Sequence, residues 1–435
     1  MASLSADSNT DTARFGLASL WQETAREAAV FPSLQNNLSA DVAIVGAGYT
    51  GLSTALALAE KGIRAIVVEA REPSWGASGR NGGQVIPGLK YDPPEILHKY
   101  GPKLGPELVK FIGGAPSVVF DLIEKYGIDC DAQRCGWIQP AHNAAMEPTL
   151  QKRGRSWAET GADVELLDRN RLADLLGSTT YRSGWLDKRG GCLNPLGYAR
   201  GLARAAAGAG ATIFSNSPVQ ALERTANGYR LRTSGGSVEA GQVLLATNGY
   251  TDGLWPNLRQ SLVPAHSFQV ATDPLPDSIR KTILPFGHVS SDSRRILLYF
   301  RLDAEGRFLM GGVGSVGEPS SRAVFAHLTK ATRHVFPQMT APFRYHWYGK
   351  VALTQDFLPH VHELAPGLHA ALGYNGRGVA MATAMGTLMA RRIAGETADA
   401  LPFPTTNLRT IPFHGLRNLY VAAARTYYRL RDVTA

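Results

Sequence analysis

The chain has 435 residues, 44% hydrophobic and 19% charged, with a formal net charge of +9. That length supports a large core and two domains, and the composition is globular rather than disordered. No apolar run of 18 residues occurs and no basic stretch precedes an apolar one near the start, so neither a membrane span nor Sec export is expected. The charge could suit nucleic acid, an anionic membrane surface or an acidic small molecule, but the arginines are scattered, with no long basic run and no nucleic-acid module interleaving them with aromatics, which disfavours nucleic acid. Cys130, Cys135 and Cys192 have no metal-site spacing; they read as thiols of a reducing compartment, with the cytoplasm as the expected location.

Residues 1–39 begin polar and carry Trp21 and a Phe31-Pro32 turn. They read as an extended arm whose aromatics anchor it on the surface or pack at a substrate entrance. From Asp41 to Glu69, DVAIVGAGYTGLSTALALAEKGIRAIVVE spells a βαβ unit. Val42 to Val45 is a continuous apolar run, as in a strand buried on both faces of a parallel sheet. Gly46, Gly48 and Gly51, with Tyr49 and Thr50 between the last two, complete GxGxxG. The first glycine permits the tight turn, the second lets backbone approach a pyrophosphate, and the third lets helix pack on strand. The following helix aims its N-terminal N–H groups at the phosphates. Ala65 to Val68 is the second strand, and Glu69, followed by Ala70 and Arg71, stands where an acid binds the adenosine ribose hydroxyls. These features identify a dinucleotide site without separating NAD from FAD.

Next comes a second glycine loop, GASGRNGGQV (76–85), which can lie against a flat ligand, with Ala77, Ser78, Arg80, Asn81, Gly82, Gly83 and Gln84 as candidate contacts. Its position departs from the layout of NAD dehydrogenases. GAGYTG, Glu69 and WGASGRNGGQ together resemble the FAD-dependent glycine and D-amino-acid oxidase (DAO) family. Within it, LNPLGYARGLARAA (193–206), LLYFRLDAEGRFLMGG (297–312), GYNGRGVAMA (373–382) and the tail 402–432 are most similar to the γ-glutamylputrescine-oxidase branch. The resemblance implies an α/β fold: a Rossmann-like FAD-binding domain and a second, α+β domain on a mixed or antiparallel sheet. Segments 40–93, 193–256 and 351–401 are assigned to the first, 94–192 and 257–350 to the second, and 402–435 to a C-terminal tail. No cysteine follows residue 192 and no histidine lies between 70 and 90, so FAD is expected to be noncovalent.

Residues 94–190 read as helices broken by prolines and glycines, with a strand at 136–141. Asn194-Pro195 opens a helix. Pro218-Val219 resembles the segment whose valine backbone holds adenine, making Val219 a cofactor candidate; Thr247 and Gly249, after the strand 242–246, approach the ADP part or form an ordinary loop. Arg295 to Leu302 and Arg307 to Gly312 form a hairpin, whose phase puts Tyr299 and Arg301 together on one face, toward a cavity or toward solvent. Phe343 to Val351 alternates Arg344, His346, Tyr348 and Lys350 against Phe343, Tyr345, Trp347 and Gly349, one face lining the flavin. His266 is a pocket or a structural residue. Gly373, Asn375, Gly376, Arg377, Gly378 and Val379 open a helix running to about Ile393, whose N-terminus, by resemblance, faces the pyrimidine edge of the flavin.

Neither a Ser/His/Asp arrangement nor a metal cluster is legible. The resemblance implies oxidation of a C–N bond in an amine or amino acid, by hydride transfer to flavin from a substrate whose nitrogen is unprotonated. Tyr299, Arg301 and Tyr348 are the candidates for orienting it, and Arg301 for gripping a carboxylate bidentately. Dioxygen is the expected acceptor, with Lys350 in place of the activating lysine of the sarcosine-oxidase branch, which the strand FLMGGVG (308–314) lacks. A quinone or other carrier is the alternative acceptor. An RNA-modifying or RNA-binding flavoprotein is the reading of a different class, suggested by charge alone.

Overall fold

The computed structural model describes residues 18–434 apart from 315–316. The apolar run ending at Val45 becomes the strand Asn37–Val45 at the centre of a parallel sheet, flanked by Ser237–Leu245 and Ala65–Val68, with Thr212–Phe214 beyond the latter. Leu368–Leu372 joins the other side in parallel, edged by the antiparallel His360–Ala365. Val42, Ala43, Ile44 and Val45 are all buried, as a strand covered on both faces requires. The helix Tyr49–Ala59 packs against Pro195–Gly208 and Gly378–Ile393. The second of these contacts depends on a glycine: a Cβ at Gly386 would lie 2.6 Å from Thr50 O.

The second sheet has eight strands, in the order Phe343–Leu353, Val263–Pro274, Arg307–Val313, Leu298–Leu302, Val289–Ser291, Trp137–Pro140, Gly184–Asp187 and Val164–Leu167. Neighbours are antiparallel except Val289–Ser291 with Trp137–Pro140, whose parallel pairing joins two distant segments of the chain. Gly184–Asp187 and Val164–Leu167 lie where the sequence suggests helices; each is four residues long, and pairing to the sheet rather than local propensity decides its state. The long helix Pro93–Tyr126 is capped by Asp92 and kinked at Gly101, whose φ of 71° ends one helical run so that Pro102 starts the next. One face of the sheet buries Phe268, Val270, Phe300, Phe308 and Met310 against Phe325, Leu328 and Phe336. The opposite face meets the second glycine loop.

The N-terminal arm is more than a surface anchor. Its short helix Leu20–Thr24 buries Leu20 and Trp21 completely. The Trp21 indole Nε1 donates to Asn81 O at 2.8 Å, and its ring meets Trp347 edge-on at 6.0 Å. A tryptophan combines a large apolar surface with one donor, so this side chain seals the loop and satisfies it at once. At the other end, Arg417–Thr434 is helical, and the Asp432 carboxylate accepts from the backbone N–H groups of Arg295 and Ile296. Among the described residues no helix is long and apolar enough to cross a membrane.

Replacing Trp21 by Ala should cost about 3–5 kcal/mol of stability through the cavity alone. Trp21→Phe keeps most of the packing but removes the donor to Asn81, so it should melt close to wild type and yet release flavin faster. Thermal melts paired with flavin-release rates check this; an alanine variant with unchanged melting would show that the arm is peripheral.

Candidate active site

The dinucleotide cradle is built at the C-terminal ends of the parallel strands. Gly46 has φ 104°, and a Cβ there would stand 3.1 Å from Ala246 O; one at Gly51 would stand 2.0 Å from Gly46 O. These two glycines are therefore required by the fold itself. At Gly48 the nearest obstacle is the flexible Ser78 hydroxyl at 3.0 Å, so that position is left open for something outside the chain. Tyr49 N, in the first turn of the helix, donates to Ser78 Oγ at 3.1 Å, while Tyr49 Oη donates to Ser78 O at 2.7 Å. Thr50 Oγ1 is 2.6 Å from Tyr374 Oη, linking this helix to the Gly373 turn. Glu69 accepts from Ala47 N at 2.7 Å and Arg71 N at 3.0 Å, and burial pushes its carboxyl up from the ordinary range. Ala70 is exposed beside it. The turn 215–217 closes over this strand end through Asn216 N to Arg71 O and Ser217 N to Glu69 O. Val219, just beyond, packs partly buried and belongs to no strand. Thr247 Oγ1 pairs with Thr251 Oγ1, and Asn248 Oδ1 accepts from Gly373 N at 2.9 Å, so the Thr247–Gly249 turn and the Gly373 turn meet.

The second glycine loop is clamped onto the eight-stranded sheet. Arg80 O accepts from Gln269 Nε2 at 2.6 Å and Trp347 Nε1 at 2.8 Å; Gly82 O accepts from Arg301 Nε at 2.8 Å. Arg301 Nη2 also donates to Leu193 O at 2.9 Å. Tyr299 and Arg301 do share the face that meets the loop. Their polar groups, however, are engaged: Tyr299 Oη with Ser267 Oγ at 2.7 Å, and Arg301 with the backbone carbonyls of Gly82, Leu193 and, at 3.5 Å, Leu302. The structure thus corrects the expectation of a carboxylate-gripping Arg301, because its guanidinium fork is filled by the protein. Gly82 and Gly311 flank the Tyr299 ring; a Cβ at Gly311 would overlap it at 2.0 Å. Several polar side chains expected at the ligand shape the loop instead. Asn81 Nδ2 donates to Ala77 O and Ser78 O while its Oδ1 accepts from Gly83 N. Gln84 Nε2 donates to Ser290 O at 3.0 Å. Asn375 Oδ1 accepts from Thr354 N at 3.0 Å.

His266, Tyr348 and Lys350 form a separate group around Glu318. Lys350 Nζ lies 3.1 Å from Glu318 Oε1 and 5.7 Å from the Tyr250 ring centre. Tyr348 packs with Phe268 in the core beyond the sheet, its phenol pushed up to about 12 by burial and by Glu318, and His266 meets its ring edge-on at 5.5 Å. It is Trp347 and Gly349, from the other phase of this strand, that approach the loop: a Cβ at Gly349 would meet Arg80 Cβ at 3.4 Å. The Arg80 guanidinium itself stacks over Trp75 at 4.5 Å, with Arg71 on the same ring at 4.3 Å.

At the start of the helix Gly378–Ile393 the expected Arg377 is joined by two cations not singled out in the sequence, Lys90 and Arg153. Gly376, with φ 84°, and Gly378 face open space; Val379 behind them is buried. Arg377 between these glycines lies over the Trp137 ring at 4.8 Å, and its Nε is buried without a hydrogen-bond partner. Burial, Arg377 and Arg153 together pull the Lys90 ammonium down to about 7; burial and Arg153 pull Arg377 down to about 9. Lys90 is exposed at the end of the segment that follows the second glycine loop, within reach of the Arg377 and Arg153 charges. Arg153 is held by Asp92 Oδ1 at 2.6 Å and Gln139 Oε1 at 3.0 Å. Lys90 is a single lysine between a turn and the helix cap Asp92, with no pattern to mark it.

Residues 41–392 match the family described as DAO, FAD dependent oxidoreductase. The chain is 32% identical to gamma-glutamylputrescine oxidoreductase of Escherichia coli (strain K12), over 95% of this chain and 98% of that protein. It is also 32% identical to the probable oxidoreductase OrdL of Haemophilus influenzae, over 84% and 85% of the two chains. Among solved structures, glycine oxidase from Geobacillus kaustophilus superposes with a TM-score of 0.71 at 22% identity, covering 85% of this chain and 99% of that one. The residues present fit an FAD: an open glycine facing a helix N-terminus at Gly48, an acid at the end of the second strand, and two further open glycines at a second helix N-terminus.

The purified protein should be yellow and release intact FAD on acid precipitation. Gly48→Val should fold, since only the Ser78 hydroxyl has to move, but bind no flavin; Gly51→Ala, which would collide with the Gly46 carbonyl, should fail to fold. Flavin occupancy and far-UV circular dichroism of the two variants separate these outcomes.

Proposed function

Because the chain belongs to the DAO family of FAD-dependent oxidoreductases, we propose that it oxidises a C–N bond in an amine that also carries a carboxylate, such as a γ-glutamylated amine or an N-substituted amino acid. The observation that carries the substrate class is the cluster of Lys90 and Arg377. Two like charges near one another, neither of them in an ion pair among the described residues, favour an anion as the missing partner. The same charges repel a substrate ammonium, so the carboxylate end is directed to them and the amine end away. Arg377 stacks on Trp137 of the eight-stranded sheet, and the N–H groups of Gly378 and Val379, in the first turn of the helix, are the ones proposed to face the flavin. Trp137 is itself fixed by its indole N–H to Ser291 Oγ at 2.7 Å. FAD, when bound, supplies the two-electron acceptor. The protein's part is to hold one end of the substrate, exclude water behind Trp21 and Trp347, and place the reacting carbon.

Lys90→Met should remove the preference for an acid substrate over its amide, at a loss on the order of 2 to 5 kcal/mol in transition-state stabilisation for the acid. Arg301→Met should instead loosen the flavin and leave the preference intact. The pH dependence follows from the direction of the Lys90 shift. With its folded value pulled down to about 7, Lys90 is charged below that pH and neutral above it. Affinity for an unreactive carboxylate should therefore be full at lower pH and weaken about tenfold per unit as pH rises through 7, until the anion's own stabilisation of the ammonium takes over. Flavin-perturbation titrations over that range check it; in Lys90→Met the slope should vanish.

Dioxygen is the proposed acceptor, and the Lys350–Glu318 ion pair favours a second reading. A lysine neutralised by a carboxylate 3.1 Å away offers little charge to reduced oxygen, as expected if electrons leave to a quinone or another carrier. In that case Lys350→Met leaves both flavin half-reactions unchanged and reoxidation in air is slow; if Lys350 activates oxygen, the variant slows reoxidation alone.

A further inference from the structure

Two thiols take no part in the site just described. Cys192 stands between two strand partners: its backbone exchanges hydrogen bonds with Gln133, at 2.9 Å each way, and on its other side it pairs with Gln84 at the end of the glycine loop. Cys135, two residues beyond Gln133, brings its Sγ to 3.8 Å from Cys192 Sγ. The next residue, Leu193, gives its carbonyl to Arg301, whose guanidinium favours the Cys192 thiolate. The Cys135 S–H donates to Cys192 and, with Arg301, draws the Cys192 thiol below its ordinary range while raising Cys135. An open cavity of about 310 Å³ is lined by Cys192, Gln133, Arg301 and Lys281, so the buried Cys192 lies at the wall of a solvent-open space.

We propose that Cys135 and Cys192 are an oxidative modification site that closes to a disulfide on meeting a hydroperoxide, and that closure loosens the glycine loop through the neighbouring hydrogen bond from Leu193 N to Gly83 O. The Cys192 thiolate attacks one peroxide oxygen; the O–O bond breaks, a sulfenic acid forms on Cys192, and the departing hydroxide leaves as water. The Cys135 sulfur then attacks Cys192; the S–O bond breaks, and the second hydroxide leaves as water with the Cys135 proton. Two thiols and one hydrogen peroxide become one disulfide and two waters, each sulfur losing one electron. Two neighbouring thiols already in van der Waals contact need only side-chain rotation to begin this, and a strand held on both sides passes any displacement to its partner.

The test treats the FAD-loaded full chain with hydrogen peroxide and maps its peptides by mass. The expected result is a Cys135–Cys192 cross-link with loss of two hydrogens, Cys130 remaining reduced, and flavin release accelerated roughly three- to tenfold, the change that accompanies loss of about one hydrogen bond. Dithiothreitol should reverse both. Cys135→Ser and Cys135→Ala should stop at a sulfenic acid on Cys192, trapped by dimedone. Unmodified thiols, or oxidation of Cys192 in wild type without a cross-link, would overturn the site; a cross-link without faster flavin release would overturn the coupling to the loop.

Discussion

Three consecutive carbonyls, those of Arg80, Asn81 and Gly82, must be satisfied if the second glycine loop is to be buried at all. An orphaned buried carbonyl is costly, and a loop rich in glycine cannot satisfy its own. The chain solves this with four side-chain donors from distant segments: Trp21 from the arm, Gln269 and Trp347 from neighbouring strands, and Arg301 from the hairpin. The clamp fixes how the eight-stranded sheet sits against the dinucleotide half. It also explains why Arg301 is buried with no carboxylate beside it, since its partners are peptide oxygens.

With Arg301 engaged, the cations proposed to meet a charged substrate are Lys90, from the segment after the glycine loop, and Arg377, from the start of the helix Gly378–Ile393. Their mutual repulsion is tolerated because Trp137 offers Arg377 a π-face and because Arg153, the third cation, is neutralised by Asp92. This gives the chain's positive balance a local meaning at one point, while most of the surface arginines are engaged in ordinary ion pairs.

The parts of this architecture governed by local rules were legible in the sequence. GxGxxG with its flanking strands, the acid at Glu69 and the helix from Gly378 to Ile393 depend on glycine sterics, apolar runs and helix ends, all of which are short-range. The hairpin around 303–306 and the shared face of Tyr299 and Arg301 followed from strand periodicity. Alternation alone does not say which face meets the loop in Phe343–Leu353; Trp347 does and Tyr348 does not, because donors to Arg80 were needed on that side. The parallel joint between Trp137–Pro140 and Val289–Ser291, the insertion of Trp21 and the approach of Lys90 to Arg377 are products of long-range packing, with no local signature.

Oxidation of an amine whose other end is anionic is the reaction proposed for this FAD enzyme. Anaerobic mixing of the holoenzyme with a γ-glutamylated amine, followed by absorbance of the flavin, tests it most directly. The expected result is bleaching by the carboxylated amine and little by the same molecule capped as an amide. Equal bleaching by both, or bleaching by uncharged amines alone, would contradict it.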